Sequence, residues 1–276
     1  MVNPNSLPSS RSDASERKDA CTHDNLSFEE LAQAYNFLNF TSYARLLTNL
    51  ILREIKKRAG TVSVLDVGCG RGIGRNVDLQ REIAEAAGEF WGVEPDSSVQ
   101  VPEGLFDNFS NSLLETANLP ENRFDVIYSS MVMEHVARPD DFLRTVYQCL
   151  KPGGIYLFLT PNALSFVPRV TKLSHDMRVD ELVLRLVQGK QQVEEYHYPV
   201  QFKINSPRLI ERHASQIGFL PPEYAFIEGS GSRGYFPGPL RLVYGLLAWK
   251  RRLIRNPRRL ATMICRLTRE NSVPTA

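Results

Sequence analysis

The chain has 276 residues, 42% of them hydrophobic and 23% charged, with a formal net charge of +2; this is ordinary for a folded globular chain, excludes a collagenous or wholly disordered polymer, and is long enough to bury a sizeable core. The charge is unevenly placed: from Arg241 onward nine Lys/Arg stand against one acidic residue, Glu270, so that end carries about +8 and the remainder about −6. The four cysteines, Cys21, Cys69, Cys149 and Cys265, are far apart and lack Cys-x-x-Cys spacing, which argues against a zinc ribbon or a disulfide framework and fits a reducing, cytoplasmic compartment.

In chain order, residues 1–25 are rich in Ser, Asn, Asp and Pro without the apolar run of a secretory signal, and are expected to form a disordered leader. In "SFEELAQAYNFL", Ser27 and Glu30 have capping-box spacing and predict a helix start. Tyr43, Leu46, Leu47, Leu50, Ile51 and Ile55 recur at helical spacing and predict a second helix. The rhythm then changes. "VSVLDV" reads as a buried strand, "GIGRNVDLQREIAEAAG" as a helix, and "EFWGV" and "FDVIYSS" as strands; "PDDFLRTVYQCL" is a helix, and "IYLFLT" a strand after the turn "KPGG". This alternation predicts an α/β fold with a doubly wound, mostly parallel sheet behind a helical N-terminal extension. It stops over 161–205, where "VDELVLRLVQGK" and the aromatic "EEYHYPVQF" read as an insertion capping the sheet's carboxyl edge. "SPRLIERHASQIGF" and "PEYAFIE" return to helix and strand, so the main domain is expected over 26–236 and a basic, apolar helix and tail over 237–276.

In that tail Leu240, Val243, Tyr244, Leu247 and Ala248 form a helical apolar stripe, followed by Trp249 and by Lys250, Arg251, Arg252, Arg255, Arg258 and Arg259. Two readings stand. The segment lies on an anionic membrane surface, making the protein peripheral to the membrane's inner face, or its stripe packs on the sheet and leaves only the arginines in water. Its apolar run is far shorter than the roughly 20 residues of a membrane span. Nucleic acid is not an expected partner, because the positive charge gathers in the tail rather than beside the sheet's carboxyl edge.

A strand that ends in a glycine-rich turn and opens into a helix presents free N–H groups and the positive end of the helix dipole to an anionic group. The dinucleotide pattern G-x-G-x-x-G/A fails here: counted from Gly68 it meets Ile73, and counted from Gly70 it meets Arg75. What stands instead is Asp66 with Gly68, Gly70 and Gly72, and Glu94 at the tip of the second strand. An acidic residue there can accept both hydroxyls of a ribose. A nucleoside with a carboxylate-bearing tail satisfies both ends.

"VLDVGCGRG", "GVEPD", "LPENRFDVIYSSMVMEHV" and "LKPGGIYLFLTPN" follow one another over about 62–219 and together resemble the class I S-adenosylmethionine-dependent methyltransferases, in the branch with the ubiquinone-biosynthesis and small-molecule enzymes. The resemblance implies S-adenosyl-L-methionine as cofactor, its methionine part along Asp66, Gly68, Gly70 and Gly72 and its ribose on Glu94. Pro95 and Asp96 would flank the adenine, Ser112 or Glu115 would lie near its edge, and Ser129 to Met131 would line the methionine side. The family's last, antiparallel strand should follow "AFIE"; a Gly/Ser loop and the basic helix stand there instead, so that strand is expected to be short or lost. Candidate bases are His135, for which packing to organise its loop is the competing and favoured reading, and His197 in the insertion beside Tyr196 and Tyr198. Cys69 reads as a small buried thiol, and no metal is expected. The implied activity is methyl transfer to a small or lipid-linked acceptor, with oxygen the expected acceptor atom. The rival readings are a non-catalytic cofactor-binding protein and an RNA methyltransferase.

Overall fold

The computed structural model describes residues 25–37, 42–165, 199–229 and 240–271, without the side chains of 240–244 and 247. Helix α1 (Phe28–Gln33) begins on the expected capping box, in which Glu30 N–H donates to Ser27 Oγ at 3.2 Å and Ser27 N–H to Glu30 Oε2 at 2.7 Å. After the short strand β1 (Asn36–Phe37), Ser42 caps α2 (Tyr43–Lys56), which buries Leu46, Leu47, Leu50, Ile51 and Ile55 as its spacing requires. Strand β2 (Ser63–Val67) is buried throughout. The next helix, α3 (Val77–Ala86), starts later than predicted, capped by Asn76. Gly68, Gly70, Gly72 and Gly74 all have positive φ and keep the chain in a loop up to that cap.

The remaining elements are β3 (Glu89–Val93), β4 (Asn108–Ser110), β5 (Phe124–Ser130), α4 (Pro139–Cys149), β6 (Leu150–Pro161), α5 (Pro207–Ile217), β7 (Glu223–Glu228), α6 (Leu240–Leu253) and β8 (Thr262–Thr268). They form one eight-stranded sheet in the order β1-β7-β8-β6-β5-β2-β3-β4, parallel except for β8. Successive residues of a strand point to opposite faces, and two apolar clusters follow. Val64 and Tyr128 pack with Phe28, Leu31, Leu46, Leu47, Ile51, Leu79 and Ile83 of α1 to α3. Leu65 and Phe158 pack with Phe142, Leu143, Val146, Ile210 and Ala214 of α4 and α5.

One expectation is overturned. The antiparallel strand is neither short nor lost: β8 runs for seven residues between β6 and β7, with Ile155 opposite Thr268 and Tyr224 opposite Cys265. The basic segment ahead of it is therefore an insertion in the β7–β8 connection, and the stretch read as helix and tail ends in an inner strand of the sheet. The strand was hidden because "TMICRLT" follows an arginine-rich run. Arg266, within the strand, is only 12% exposed because it pairs with Glu29 at 2.9 Å, Glu223 at 2.8 Å and Glu54 at 3.4 Å.

Ile264 in β8 is fully buried. Ile264→Ala is expected to cost about 2–5 kcal/mol, and removal of residues 262–276 to abolish cooperative folding; urea unfolding followed by circular dichroism checks both, and a neutral outcome would return the segment to a tail.

Candidate cofactor and acceptor site

The carboxyl ends of β2, β3, β5, β6 and β7 share one edge, because these strands run parallel. There the glycine loop folds back on β3: Gly68 N–H and Cys69 N–H both donate to the Val93 carbonyl, at 2.8 and 3.2 Å. Glu94 follows and is 7% exposed. Its Oε2 accepts Gly70 N–H at 2.8 Å, its Oε1 accepts Asp96 N–H at 2.9 Å, and its carbonyl accepts Asn111 Nδ2 at 2.7 Å. Burial raises its pKa above the ordinary carboxyl value. Asp66 is buried beneath the loop, with Oδ2 accepting from Tyr128 Oη at 2.6 Å and Gln80 Nε2 at 2.8 Å. Gln80 Nε2 also donates to the Cys69 carbonyl at 2.8 Å, tying loop and helix α3 to the carboxylate. Desolvation pushes Asp66 up to about 7 against the two hydrogen bonds that oppose it. Cys69 is a buried free thiol whose pKa is raised by burial and by the carboxylates of Asp66 and Glu94.

The remaining predicted residues divide. Pro95 and Asp96 follow Glu94 directly, and Asp96 Oδ1 accepts Ser98 N–H at 2.9 Å. Ser112, half-buried, shares a 2.8 Å hydrogen bond with Ser110 at the end of β4, and Glu115 sits half-buried on the 3₁₀ turn Leu114–Thr116. Met131, at φ 56°, turns the chain out of β5. Ser129 departs from expectation: its hydroxyl is fully buried against Tyr156 Oη at 2.6 Å, because its strand position faces the α4–α5 side of the sheet. His135 lies in the loop after β5 with Nδ1 3.3 Å from the Pro199 carbonyl. His197, Tyr196 and Tyr198 lie outside the described residues, as do residues 1–24 of the predicted leader 1–25 and the helical piece in the insertion.

Sequence reasoning passed over Glu134, next to His135. This carboxylate is 5% exposed, and burial raises its pKa to about 7. Its Oε2 accepts from Thr160 Oγ1 at 3.1 Å, and that hydroxyl accepts from Asn205 Nδ2 at 2.6 Å. The Glu134 carbonyl accepts Gln201 N–H at 2.7 Å, and Ala163 N–H donates to the Asn205 carbonyl at 2.8 Å. The two ends of the 161–205 stretch are thus fastened to each other and to the loop bearing His135. Thr160 and Asn205 are 45 positions apart, so no local pattern announces the cluster.

A methyltransferase-domain family model matches residues 21–210. The ubiquinone biosynthesis O-methyltransferase of Escherichia coli O9:H4 (strain HS) is 30% identical over 199 residues, covering 66% of this chain and 78% of that one. The protein of that name from Shigella flexneri serotype 5b is similar to the same degree, 30% over 199 residues. The chain belongs to the class I S-adenosylmethionine-dependent methyltransferases. A chain from the Haloferax volcanii complex with the Trm112 methyltransferase activator shares the fold, with a TM-score of 0.51, 13% identity, and coverage of 80% of this chain and 88% of that one.

The loop of this methyltransferase fits its cofactor, S-adenosylmethionine. At Gly70 a Cβ would stand 3.5 Å from Glu94 Oε2, so glycine keeps the space beside the carboxylate open. At Gly68 a Cβ would stand 2.5 Å from Val132 Cγ2, so the loop after β5 presses directly on the glycine turn. The basic segment also lies at this edge, since Asn162 Nδ2 donates to the carbonyls of Arg258 at 3.0 Å and Leu260 at 2.9 Å. That placement removes the argument from charge position against nucleic acid.

The raised Asp66 carboxyl has a stability consequence. The folded state keeps its proton up to about pH 7, whereas an unfolded Asp releases it near pH 4. Its contribution is complete below about pH 4 and lost as pH rises to about 7, at roughly 1.4 kcal/mol per unit; Glu134 acts in the same direction. Asp66→Asn is expected to flatten the fall in urea midpoint between pH 5 and 7, and a slope equal to the wild type's would show Asp66 ionised throughout.

Proposed function

We propose that Asp66, Gly68, Gly70 and Gly72 receive the methionine part of the cofactor and Glu94 its ribose, with Pro95, Asp96, Ser112 and Glu115 around the adenine. The methyl goes to an oxygen of a small or lipid-linked acceptor taken from a membrane surface. When bound, the cofactor supplies an electrophilic methyl group on a sulfonium. The observation that carries the acceptor assignment is the loop after β5, which presses on Gly68 through Val132 and bears two proton-accepting side chains, Glu134 and His135. An oxygen acceptor must lose its proton, and a positioned base contributes roughly 10² to 10⁴ in rate. With Nδ1 donating to the Pro199 carbonyl, the neutral His135 ring carries its lone pair on Nε2. That nitrogen is the proposed base, with His197 of the insertion as the second candidate. Glu134, held by Thr160 and Asn205, fastens the two described ends of the insertion at the same edge. The 30% identity to the ubiquinone biosynthesis O-methyltransferase supports oxygen as the acceptor atom.

Incubation with methyl-labelled cofactor and a lipid extract is expected to put label into the organic phase as a methyl ether; label in RNA or protein, or no transfer at all, would overturn the reading. Glu94→Ala should weaken cofactor binding at least tenfold by calorimetry, since a hydrogen bond to a charged group is worth about 1.5–3 kcal/mol. His135→Ala should lower kcat by about 10² to 10⁴ with cofactor affinity intact. Full turnover in His135→Ala and in His197→Ala would mean that neither is the base.

A further inference from the structure

Helix α6 has two unlike sides. Arg251 points inward and pairs with Glu228, which is 1% exposed at the end of β7; Glu228 Oε2 also accepts Ala261 N–H at 3.1 Å. Tyr35 Oη donates to the Arg251 carbonyl at 2.8 Å, and Ala248 packs against the core. The helix is therefore fixed to the sheet. With about 3.6 residues per turn, Leu246, Trp249 and Leu253 lie opposite that inner side and are 68%, 64% and 64% exposed, with Ile254 beside them at 59%. Four of the eight large hydrophobic residues exposed among the described residues thus fall between 246 and 254. Of the predicted stripe, Ala248 alone has a described side chain and it packs against the core, whereas Trp249, read as an interface residue, is exposed.

Lys250 and Arg252 flank this stripe on the helix, Arg258 and Arg259 are exposed on the 3₁₀ turn Pro257–Arg259 that follows, and none of the four carries an ion pair among the described residues. The sequence has no Asp or Glu between Glu228 and Glu270. An apolar patch rimmed by uncompensated cations is complementary to one surface in particular, a bilayer with anionic headgroups over an apolar interior, and Trp suits its interface. A nucleic acid offers the charge without an apolar layer to receive Leu246, Leu253 and Ile254.

Topology gives the patch a place. The β7–β8 connection leaves and re-enters the sheet at the carboxyl edge, where Pro161 pairs with Thr262 and where the glycine loop and Glu134 lie. We infer that the outward face of α6, Leu246, Trp249, Leu253 and Ile254 within the Lys250–Arg259 cluster, docks on an anionic membrane surface and turns the carboxyl edge toward it. A lipid-linked acceptor then reaches the site from the bilayer without crossing water. This deepens, and rests on, the reading of a lipid-linked acceptor.

Deleting the segment would remove β8 as well, so point variants carry the test. Vesicles of phosphatidylcholine with and without phosphatidylglycerol are sedimented with the full chain while Trp249 fluorescence is recorded. The wild type is expected to sediment with the anionic vesicles only, with Trp249 emission shifted to the blue. Leu246→Ser with Leu253→Ser should lose the shift. Lys250→Gln with Arg252→Gln and Arg259→Gln should cut partitioning at least tenfold, since each cation near an anionic surface contributes roughly a fivefold factor. Cofactor titration and methylation of a detergent-dispersed acceptor, run alongside, report on folding and on the activity independently of docking. Wild type that binds cofactor but stays with the supernatant would overturn the inference. So would a serine variant that sediments like wild type while single-stranded RNA competes it off, which would identify a surface for polyanions.

Discussion

The turn from Gly68 to Gly74 is the constraint on which the carboxyl edge depends. Two consecutive amides, of Gly68 and Cys69, converge on one carbonyl, that of Val93, and the next, of Gly70, donates to Glu94. A backbone bent that sharply needs positive φ at alternate residues, which glycine adopts without steric cost. The turn is also enclosed. An added Cβ would meet Val132 at Gly68, the Asn76 backbone at Gly72 and Ala44 at Gly74, each under 3 Å. The same four residues therefore set the start of α3, the approach of α2 and the seat of the loop after β5.

Three buried carboxylates stand at the junctions of this edge: Asp66 where β2 meets the glycine turn, Glu134 where β5 meets the insertion, and Glu228 where β7 meets the basic segment. Desolvation raises the pKa of each. Burying a carboxylate is costly unless it is paired or hydrogen-bonded, and each has different partners: Tyr128 and Gln80, Thr160, and Arg251 with the Ala261 amide. Such pairs add little net stability but penalise any arrangement that breaks them. They fix three peripheral segments to the sheet edge in a single geometry, which a transfer reaction that depends on alignment requires.

The basic segment owes its placement to strand order. Because β8 is antiparallel to both neighbours, its connection from β7 spans only one edge of the sheet, and any insertion there is confined beside the site. Arg251 turns inward to Glu228 and Arg266 to Glu29, Glu54 and Glu223, so two of the cations in a charge run that looks uniform are structural.

The sequence by itself determined β2, α3, β3, β5, α4 and β6 in their alternation, the capped start of α1, the periodicity of α2, the glycine loop and the acidic tip at Glu94; the three-residue β4 and the Ser42 cap of α2 were not among them. The legible features are written in short-range periodicities of two and 3.6, in caps within three residues, and in glycine spacing, all of which act locally. What depends on contacts across the chain waited for the tertiary structure. The strand at Thr262–Thr268 forms because two strands already in place leave a slot between them and because acidic residues from α1, α2 and β7 neutralise Arg266. The Glu134–Thr160–Asn205 cluster joins positions that only the fold brings together. The orientation of α6 stayed open in the sequence for the same reason: a helix apolar nearly all round does not reveal which side its anchor buries, and that side is decided by Glu228 at the end of another strand.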